Sequence, residues 1–296
     1  MNGKVRHSLR LTAMLYLLDY GAGNIQSLAN SLTKLGYTYE WVREPSDISK
    51  ADKLLFPGVG SFASAMDALH AKGYVEPLRA YIQSGKPLMG ICVGMQVLFE
   101  GSDESPGVQG LGIVPARVGR FATQDAFGRK AVPHMGWSLA NVVEWDGCAD
   151  QRHELAKSYG MHDANPSHYY FVHSYRVAWD ANVAEWALTT TQYGNEIFVS
   201  SIQHANVFAT QFHPEKSGQA GLDLLAAWLQ LEHVEPTTRV GCPVSSTEHM
   251  PTRRIVACLD VRSNDAGDLV VTKGESYDVR ERGEQDAGAS HVRNMG

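Results

Sequence analysis

The chain contains no apolar run near the ~20 residues that a helical membrane span requires. It also lacks a basic excess: 26 Lys and Arg stand against 32 Asp and Glu, a net charge of -6. A phosphate backbone or an anionic membrane surface attracts the opposite sign, so nucleic acid and membrane are not expected as partners. Cysteine is sparse. Cys92, Cys148, Cys242 and Cys258 are scattered with no paired spacing. That argues against a disulfide framework or a zinc site and for reduced thiols inside a cell. Neither a metal nor a cofactor is expected. Acids are missing from the first ten residues, MNGKVRHSLR, but that stretch is short for a presequence. A cytoplasmic protein is expected, or a plastid one if the source is photosynthetic. Apolar residues are not scarce. They make up 44% of the 296 positions, and charged residues 20%, enough to core one large domain or two modest ones.

The order of elements reads as α/β. Leu11–Asp19 is a continuous apolar run ending in a carboxylate, the pattern of a strand covered on both faces. Gly21-Ala22-Gly23-Asn24 follows, with Asn24 as N-cap of a helix through Ile25, Leu28, Leu32 and Leu35, stopped by Gly36. The turn resembles a dinucleotide fingerprint, but its third glycine is missing: Gln26 stands there, so a plain βα turn is preferred. Tyr39–Val42 and Lys53–Phe56 are further strands. The second runs into Pro57-Gly58-Val59-Gly60, a turn that could present backbone N–H groups or simply lead into the helix Phe62–Ala71. Pro77–Ser84 reads as a helix and Pro87–Ile91 as a strand, with helical character from Met95 to Glu100. Past Glu100 the text is loop-like up to Phe121.

At the end of the Pro87–Ile91 strand sits Cys92, flanked by Gly90 and Gly94. Strand, small residues and helix are the local pattern of a nucleophile elbow, with sulfur in place of oxygen. A helix starting there would aim N–H groups at the thiol, lowering its pKa and offering donors to an oxyanion. Taken alone, a buried cysteine is more often a small hydrophobe.

A second stretch changes that balance. Val207–Phe212 reads as a buried strand ending in His213-Pro214-Glu215, followed by an amphipathic helix over Ser217–Glu232. Strand ends of one open sheet meet at one edge, so sequence distance is no obstacle to contact. Cys92, His213 and Glu215 would then be nucleophile, base and orienter. Elsewhere, Ala131–Ser138 (AVPHMGWS) reads as a tight surface loop. Its Trp137 suits either core or a partner contact, with core preferred. His168–Tyr175 is strand-like. His162, His168 and His173 lack the spacing of a metal site. Ala187–Tyr193 and Ile197–Gln203 read as a hairpin across Gly194-Asn195.

GICVGMQ and QFHPEKS together resemble the class I (triad) glutamine amidotransferases, which are flavodoxin-like, doubly wound, mostly parallel α/β domains. DYGAGNIQSL, FPGVGSF, GICVGMQVLFEGSDESPG, PHMGW and YYFVHSY are similar to the glutaminase part of imidazole glycerol phosphate synthase, over residues ~14–232. The resemblance implies hydrolysis of glutamine to glutamate and ammonia by a triad of Cys92, His213 and Glu215. It implies oxyanion donors from Val59 or Gly60 and from Val93, with a strand that rearranges before its donor is aimed. It implies glutamine held by Gln96, Glu104, Ser174 and Tyr175. The loop carrying Pro133, Met135 and Trp137 would face a cyclase (β/α)₈ barrel, whose product is imidazole glycerol phosphate in histidine biosynthesis. Ser138 departs from the asparagine the family often has after that tryptophan. A catalytically silent scaffold is the competing reading, and the intact triad argues against it. A chaperone or peptidase of the same fold is a third; those carry an acidic residue close to the nucleophile and lack the H-P-E.

Residues 233–252, rich in Pro, Ser and Thr, read as a linker. RRIVACLDV and LVVTKG resemble the opening of the cyclase barrel in the fused form of fungi and plants. Asp260 would match its general acid/base, and Lys273 a residue near the substrate's phosphate end. The expected organisation is an extension over 1–13, the amidotransferase domain over 14–232, the linker, and a barrel fragment over 253–296. A barrel needs roughly 250 residues, so an incomplete, poorly ordered barrel start is expected.

Overall fold

In the computed structural model, the described residues are 13–21, 25–126, 128–143, 149–161, 167–180, 183–231, 260–263 and 269–272. The chain divides into two compact units, Met1–Ser246 and Thr247–Gly296.

The first unit opens with β1 (Leu15–Leu18), α1 (Gln26–Lys34), β2 (Glu40–Val42), α2 (Pro45–Lys50) and β3 (Lys53–Gly58). It continues with α3 (Phe62–Ala71), α4 (Val75–Gln83), β4 (Leu88–Cys92), α5 (Val93–Gln96), β5 (Phe99–Ser102) and β6 (Val114–Arg120). Two-residue strands β7 (Gln124–Asp125) and β8 (Gly128–Arg129) precede β9 (His134–Leu139), β10 (Asn141–Val142), α6 (Ala149–Ser158), β11 (His168–His173) and β12 (Tyr175–Arg176). Then come β13 (Ala187–Tyr193), β14 (Glu196–His204), β15 (Val207–Thr210), a 3₁₀ turn at Pro214–Lys216, and α7 (Gly218–Gln230).

Eight strands form one sheet in the order β10-β13-β14-β15-β4-β3-β1-β2. The five strands from β15 to β2 pair in parallel, and β10, β13 and β14 extend the sheet antiparallel. All four residues of β1 and all five of β4 are buried, as strands covered by helices on both faces must be. The C-terminal ends of β3, β4 and β15 therefore lie on one edge, where open α/β sheets build sites.

Four local expectations are corrected. The helical stretch from Met95 to Glu100 lasts only through Gln96. Phe99–Ser102 instead pairs in parallel with β6, Phe99 opposite Val114, so ladder bonds replace helical ones. The supposed loop before Phe121 accordingly contains β6. Met135-Gly136-Trp137 is no turn but part of β9, paired antiparallel with β11 so that His134 faces His173 and Trp137 faces Tyr170. The alternation of that strand buries His134 and exposes Met135 (63%) and Trp137 (49%). The preference for Trp137 as core is thereby overturned. Helix α2 was not anticipated: its signals are Pro45 at the first turn and Asp47, whose carboxylate accepts the N–H groups of Arg43 and Glu44 at 3.0 and 3.2 Å. Asn24 lies outside the described residues, and α1 has Ile25 as its N-cap.

Helix α7 ends without a C-terminal glycine; a buried cation does that work. Lys53, at the start of β3, sends its Nζ to the carbonyls of Trp228, Leu229 and Leu231 at 3.2, 2.6 and 2.6 Å. Those oxygens are orphans of the last turn and carry the negative end of the helix dipole. The bond ties the helix that follows His213 to the strand that leads to Gly58.

In the second unit, β16 (Asp260–Ser263) pairs antiparallel with β17 (Leu269–Thr272), Asp260 opposite Thr272. Asp260 thus opens its described strand and is not at a C-terminal end, and the ladder is not the parallel one of neighbouring barrel strands. Lys273 and the linker lie outside the described residues.

Replacing Lys53 with Met leaves three carbonyls without their donor and keeps the stem volume. Such a change is expected to cost about 2–4 kcal/mol, read as a lowered urea midpoint with unchanged slope. A midpoint equal to that of the parent protein would remove the capping role.

Candidate active site

The site begins with a steric constraint at the end of β4. Cys92 has φ 55° and ψ -109°, a region that costs a non-glycine residue on the order of 1–3 kcal/mol and that recurs at functional sites. The flanking glycines do not supply this conformation: of the three, only Cys92 has positive φ. They supply closeness. A Cβ on Gly94 would lie 1.9 Å from the Phe56 carbonyl oxygen, and one on Gly58 would lie 2.4 Å from the Gly94 nitrogen. A Cβ on Gly90 would meet the Gly94 carbonyl oxygen at 2.8 Å. Backbone therefore packs on backbone where β3 and β4 deliver Gly58 and Cys92. Helix α5 is four residues long, too short to place an extended dipole behind the sulfur.

Strand β15 runs beside β4, Thr210 opposite Ile91, and carries the chain on to His213. His213 is 2% exposed and its Nδ1 lies 2.7 Å from Glu215 Oε1. Burial by itself lowers the His213 pKa. The charge and hydrogen bond of Cys92 and the bond and charge of Glu215 outweigh it, raising the value to about 10. The ring is thus favoured as an imidazolium, its Nδ1 bonded to the Glu215 carboxylate. Among the described residues, Glu215 Oε2 has no hydrogen-bond partner.

The other expected residues are distributed around this centre. Val59 is half-buried, and Gly60, φ +92°, is exposed at the tip of the turn. Val93 follows the sulfur and is buried. Gln96 Nε2 donates to the Tyr175 carbonyl at 3.2 Å and to Gln211 Oε1 at 2.9 Å. Glu104 accepts the N–H of Phe62 at 2.8 Å, so its carboxylate caps α3 just past the glycine turn. Ser174 is half-buried, and its carbonyl accepts from Phe121 N. Pro133, Met135 and Trp137 are exposed on one side of β9.

Sequence reasoning missed three groups here. Tyr20 sits at the end of β1, its hydroxyl 2.8 Å from where a Gly58 Cβ would be. Burial, then the charge of Cys92, raises its pKa. The hydroxyl makes no bond of ordinary geometry among the described residues, although the Val59 amide is near enough to offset part of that rise. Gln211 is fully buried and its Nε2 donates to Cys92 Sγ at 3.6 Å. A polar residue two positions before His213 in a buried strand was the available signal.

The third group is a histidine pair. His173 Nδ1 bonds the Tyr175 carbonyl at 2.8 Å, His134 Nδ1 lies 3.2 Å from His173 Nε2, and His134 Nε2 lies 3.0 Å from Ser138 Oγ. A carbonyl only accepts, so the protons are assigned in turn: each Nδ1 donates, and the Ser138 hydroxyl donates to His134. Ser138, the departure noted in the sequence, thus turns inward. Burial, then the charge of Lys130, lowers the His134 pKa to about 4. Burial, then His134, lowers that of His173 to about 3, with His213 and Arg176 adding and the Tyr175 carbonyl opposing. No group of three or more His, Cys, Asp or Glu among the described residues is arranged to hold a metal ion.

A cysteine at a strained strand–helix turn and a buried His–Glu pair, on a doubly wound, mostly parallel sheet, define an α/β protein of the flavodoxin-like class. Residues 16–229 match the family model described as Glutamine amidotransferase class-I. The chain belongs to that family, in the group of imidazole glycerol phosphate synthases. It is 47% identical over 285 residues to imidazole glycerol phosphate synthase hisHF of Emericella nidulans, covering 95% of this chain and 49% of that protein. It is 41% identical over 218 residues to imidazole glycerol phosphate synthase subunit HisH of Methanothermobacter thermautotrophicus, covering 74% of this chain and 98% of that one. The structure of PurLQS from Thermotoga maritima shares the fold at a TM-score of 0.52 and 16% identity, over 74% of this chain and 98% of that one. The chain spans about half the length of the fused relatives it matches.

The neutral histidine pair sets a pH dependence. Unfolded, both rings take a proton below pH 6.5; folded, they resist until about pH 4 and 3. The unfolded state therefore binds more protons in that window. Stability falls as pH drops below 6.5, by on the order of 1.4 kcal/mol per pH unit for each ring. Urea midpoints between pH 7 and 4 check this, and His173→Gln is expected to make the slope shallower by one proton. An unchanged slope in that variant would mean that the buried ring is not the titrating group.

Proposed function

We propose that this chain hydrolyses L-glutamine to glutamate and ammonia, and that the ammonia serves a cyclase barrel forming imidazole glycerol phosphate and AICAR. The observation that carries the reading is Cys92 at positive φ at the end of β4, with the neighbouring β15 leading to a buried His213 whose Nδ1 is bonded to Glu215. In this reading the Cys92 thiolate attacks the carboxamide carbon of glutamine. The oxyanion is held by the N–H of Val93 and by that of Val59 or Gly60. His213 gives its proton to the leaving nitrogen, and ammonia departs as the tetrahedral species collapses to a thioester. Water, deprotonated by His213, then attacks the thioester; glutamate leaves and the thiolate–imidazolium pair is restored. Glu215 keeps the imidazole proton on Nδ1 throughout and balances the ring's charge.

Gln96, Glu104, Ser174 and Tyr175 are assigned to the bound glutamine. Glu104 already bonds Phe62, two residues past the glycine turn, so substrate binding and the position of that turn would be linked. The exposed side of β9, with Pro133, Met135 and Trp137, is assigned to the cyclase partner. Asp260 and Lys273 are assigned to the start of that barrel, and residues 233–252 to the linker before it.

Glutamate release from glutamine is the test. Cys92→Ala is expected to lower it by at least roughly 10³-fold, measured by coupled glutamate dehydrogenase assay with an intact cyclase and its ligand supplied. Release that survives in Cys92→Ala, or that is absent from the parent protein under those conditions, would overturn the proposal.

A further inference from the structure

We propose that Gln211 is a further catalytic residue, whose side-chain amide holds the Cys92 sulfur as a thiolate through a hydrogen-bond chain that fixes the amide donor-first. For its place in turnover, this rests on the glutaminase reading above.

The direction of the chain follows from its far end. The Tyr175 carbonyl can only accept, and it does so from His173 Nδ1 and from Gln96 Nε2. Gln96 must therefore present its NH₂ group inward, and the second hydrogen of that group goes to Gln211 at 2.9 Å. The atom receiving it has to be Gln211 Oε1. Only one end of the Gln211 amide is then left for Cys92, the Nε2 donor, 3.6 Å from Sγ. A flipped amide would set two donors against each other at Gln96 and an oxygen against a thiolate. Every member is buried or half-buried, so solvent does not substitute for a lost partner.

A donor on sulfur favours the charged form over the thiol, because a thiolate accepts more strongly. It also restrains the side chain at a residue whose backbone is already committed to one conformation. His213 supplies the counter-charge with Glu215 behind it; Gln211 supplies a neutral donor from the same strand end. The other titratable group near the sulfur is Tyr20, whose ring is held neutral by burial. Through this step the proton passes from Sγ to His213, and no other bond changes. Gln96 and His173 are positioning residues behind the amide. The His173 ring reaches on to His134 and Ser138 of β9, the strand whose outer side carries Met135 and Trp137.

Gln211→Met keeps volume and removes the donor. The test is the pH dependence of Cys92 alkylation by iodoacetamide, which reports thiolate without requiring glutamine. The acid limb is expected to move up by roughly one pH unit. Below that limb, glutamate release falls about tenfold, with KM for glutamine changed less than twofold. An unmoved alkylation midpoint in a folded Gln211→Met protein overturns the proposal. If that variant does not fold, the parent protein decides. In ¹⁵N-labelled protein, a side-chain amide resonance must titrate with the alkylation midpoint and stop titrating in Cys92→Ala; no such resonance refutes the contact. Absence of glutamate release from the parent protein would sink the glutaminase reading and leave the alkylation result standing.

Discussion

Two backbones touching without side chains between them set the geometry on which the rest of this site depends. The end of β3 meets the start of α5 so closely that no Cβ fits at Gly58 or Gly94. That contact forces the chain to turn within one residue after β4, and the residue that turns is Cys92 itself, at positive φ. Strain at the cysteine is thus offset by packing around it rather than relieved by a flexible neighbour. The same contact fixes where the Val59–Gly60 turn stands relative to the sulfur.

Around this contact the sheet brings charge and polarity to one edge. β15 adds His213 and Glu215 in a stiff turn, and Lys53 locks the following helix back to β3. Two kinds of imidazole result from different surroundings. His213 keeps its proton because the charge of Cys92 and the Glu215 carboxylate outweigh burial; His134 and His173 lose theirs because burial dominates, with the charge of Lys130 adding at His134. The neutral pair fixes hydrogen-bond direction, and the charged ring stays paired with Glu215. In this sense β9 and Cys92 belong to one connected polar system within an apolar core.

Much of this was legible beforehand. The strand positions around Lys53 and Leu88, the helix Phe62–Ala71 and the hairpin at Gly194-Asn195 follow from local pattern, and the ends of β4 and β15 lie side by side as strand ends of one sheet do. The failures share a cause. Met95–Glu100 has helical composition, but Phe99 found a strand partner at Val114. PHMGW looks like a turn because Pro133 and Gly136 punctuate it, yet pairing with β11 extends it into a strand. Trp137 looks like core because tryptophan is large and apolar, and only the register of that pairing turns it outward. Gln211 and Tyr20 were passed over because a lone polar residue just past a buried strand carries no sign of what it will face.

What the sequence by itself determined is the chemistry: which residues can be nucleophile, base and orienter, and that the chain belongs among the amidotransferases whose motifs it carries. Those are properties of residue types at short spacings, and short spacings survive folding. The tertiary structure alone decided which atoms meet over long separations. That includes the Gly58–Gly94 contact that makes the elbow, the protonation of three histidines with opposite outcomes, and the Gln96–Gln211 pair that ends on sulfur. Hydrogen-bond direction and desolvation depend on every neighbour at once, and neighbours are set by packing.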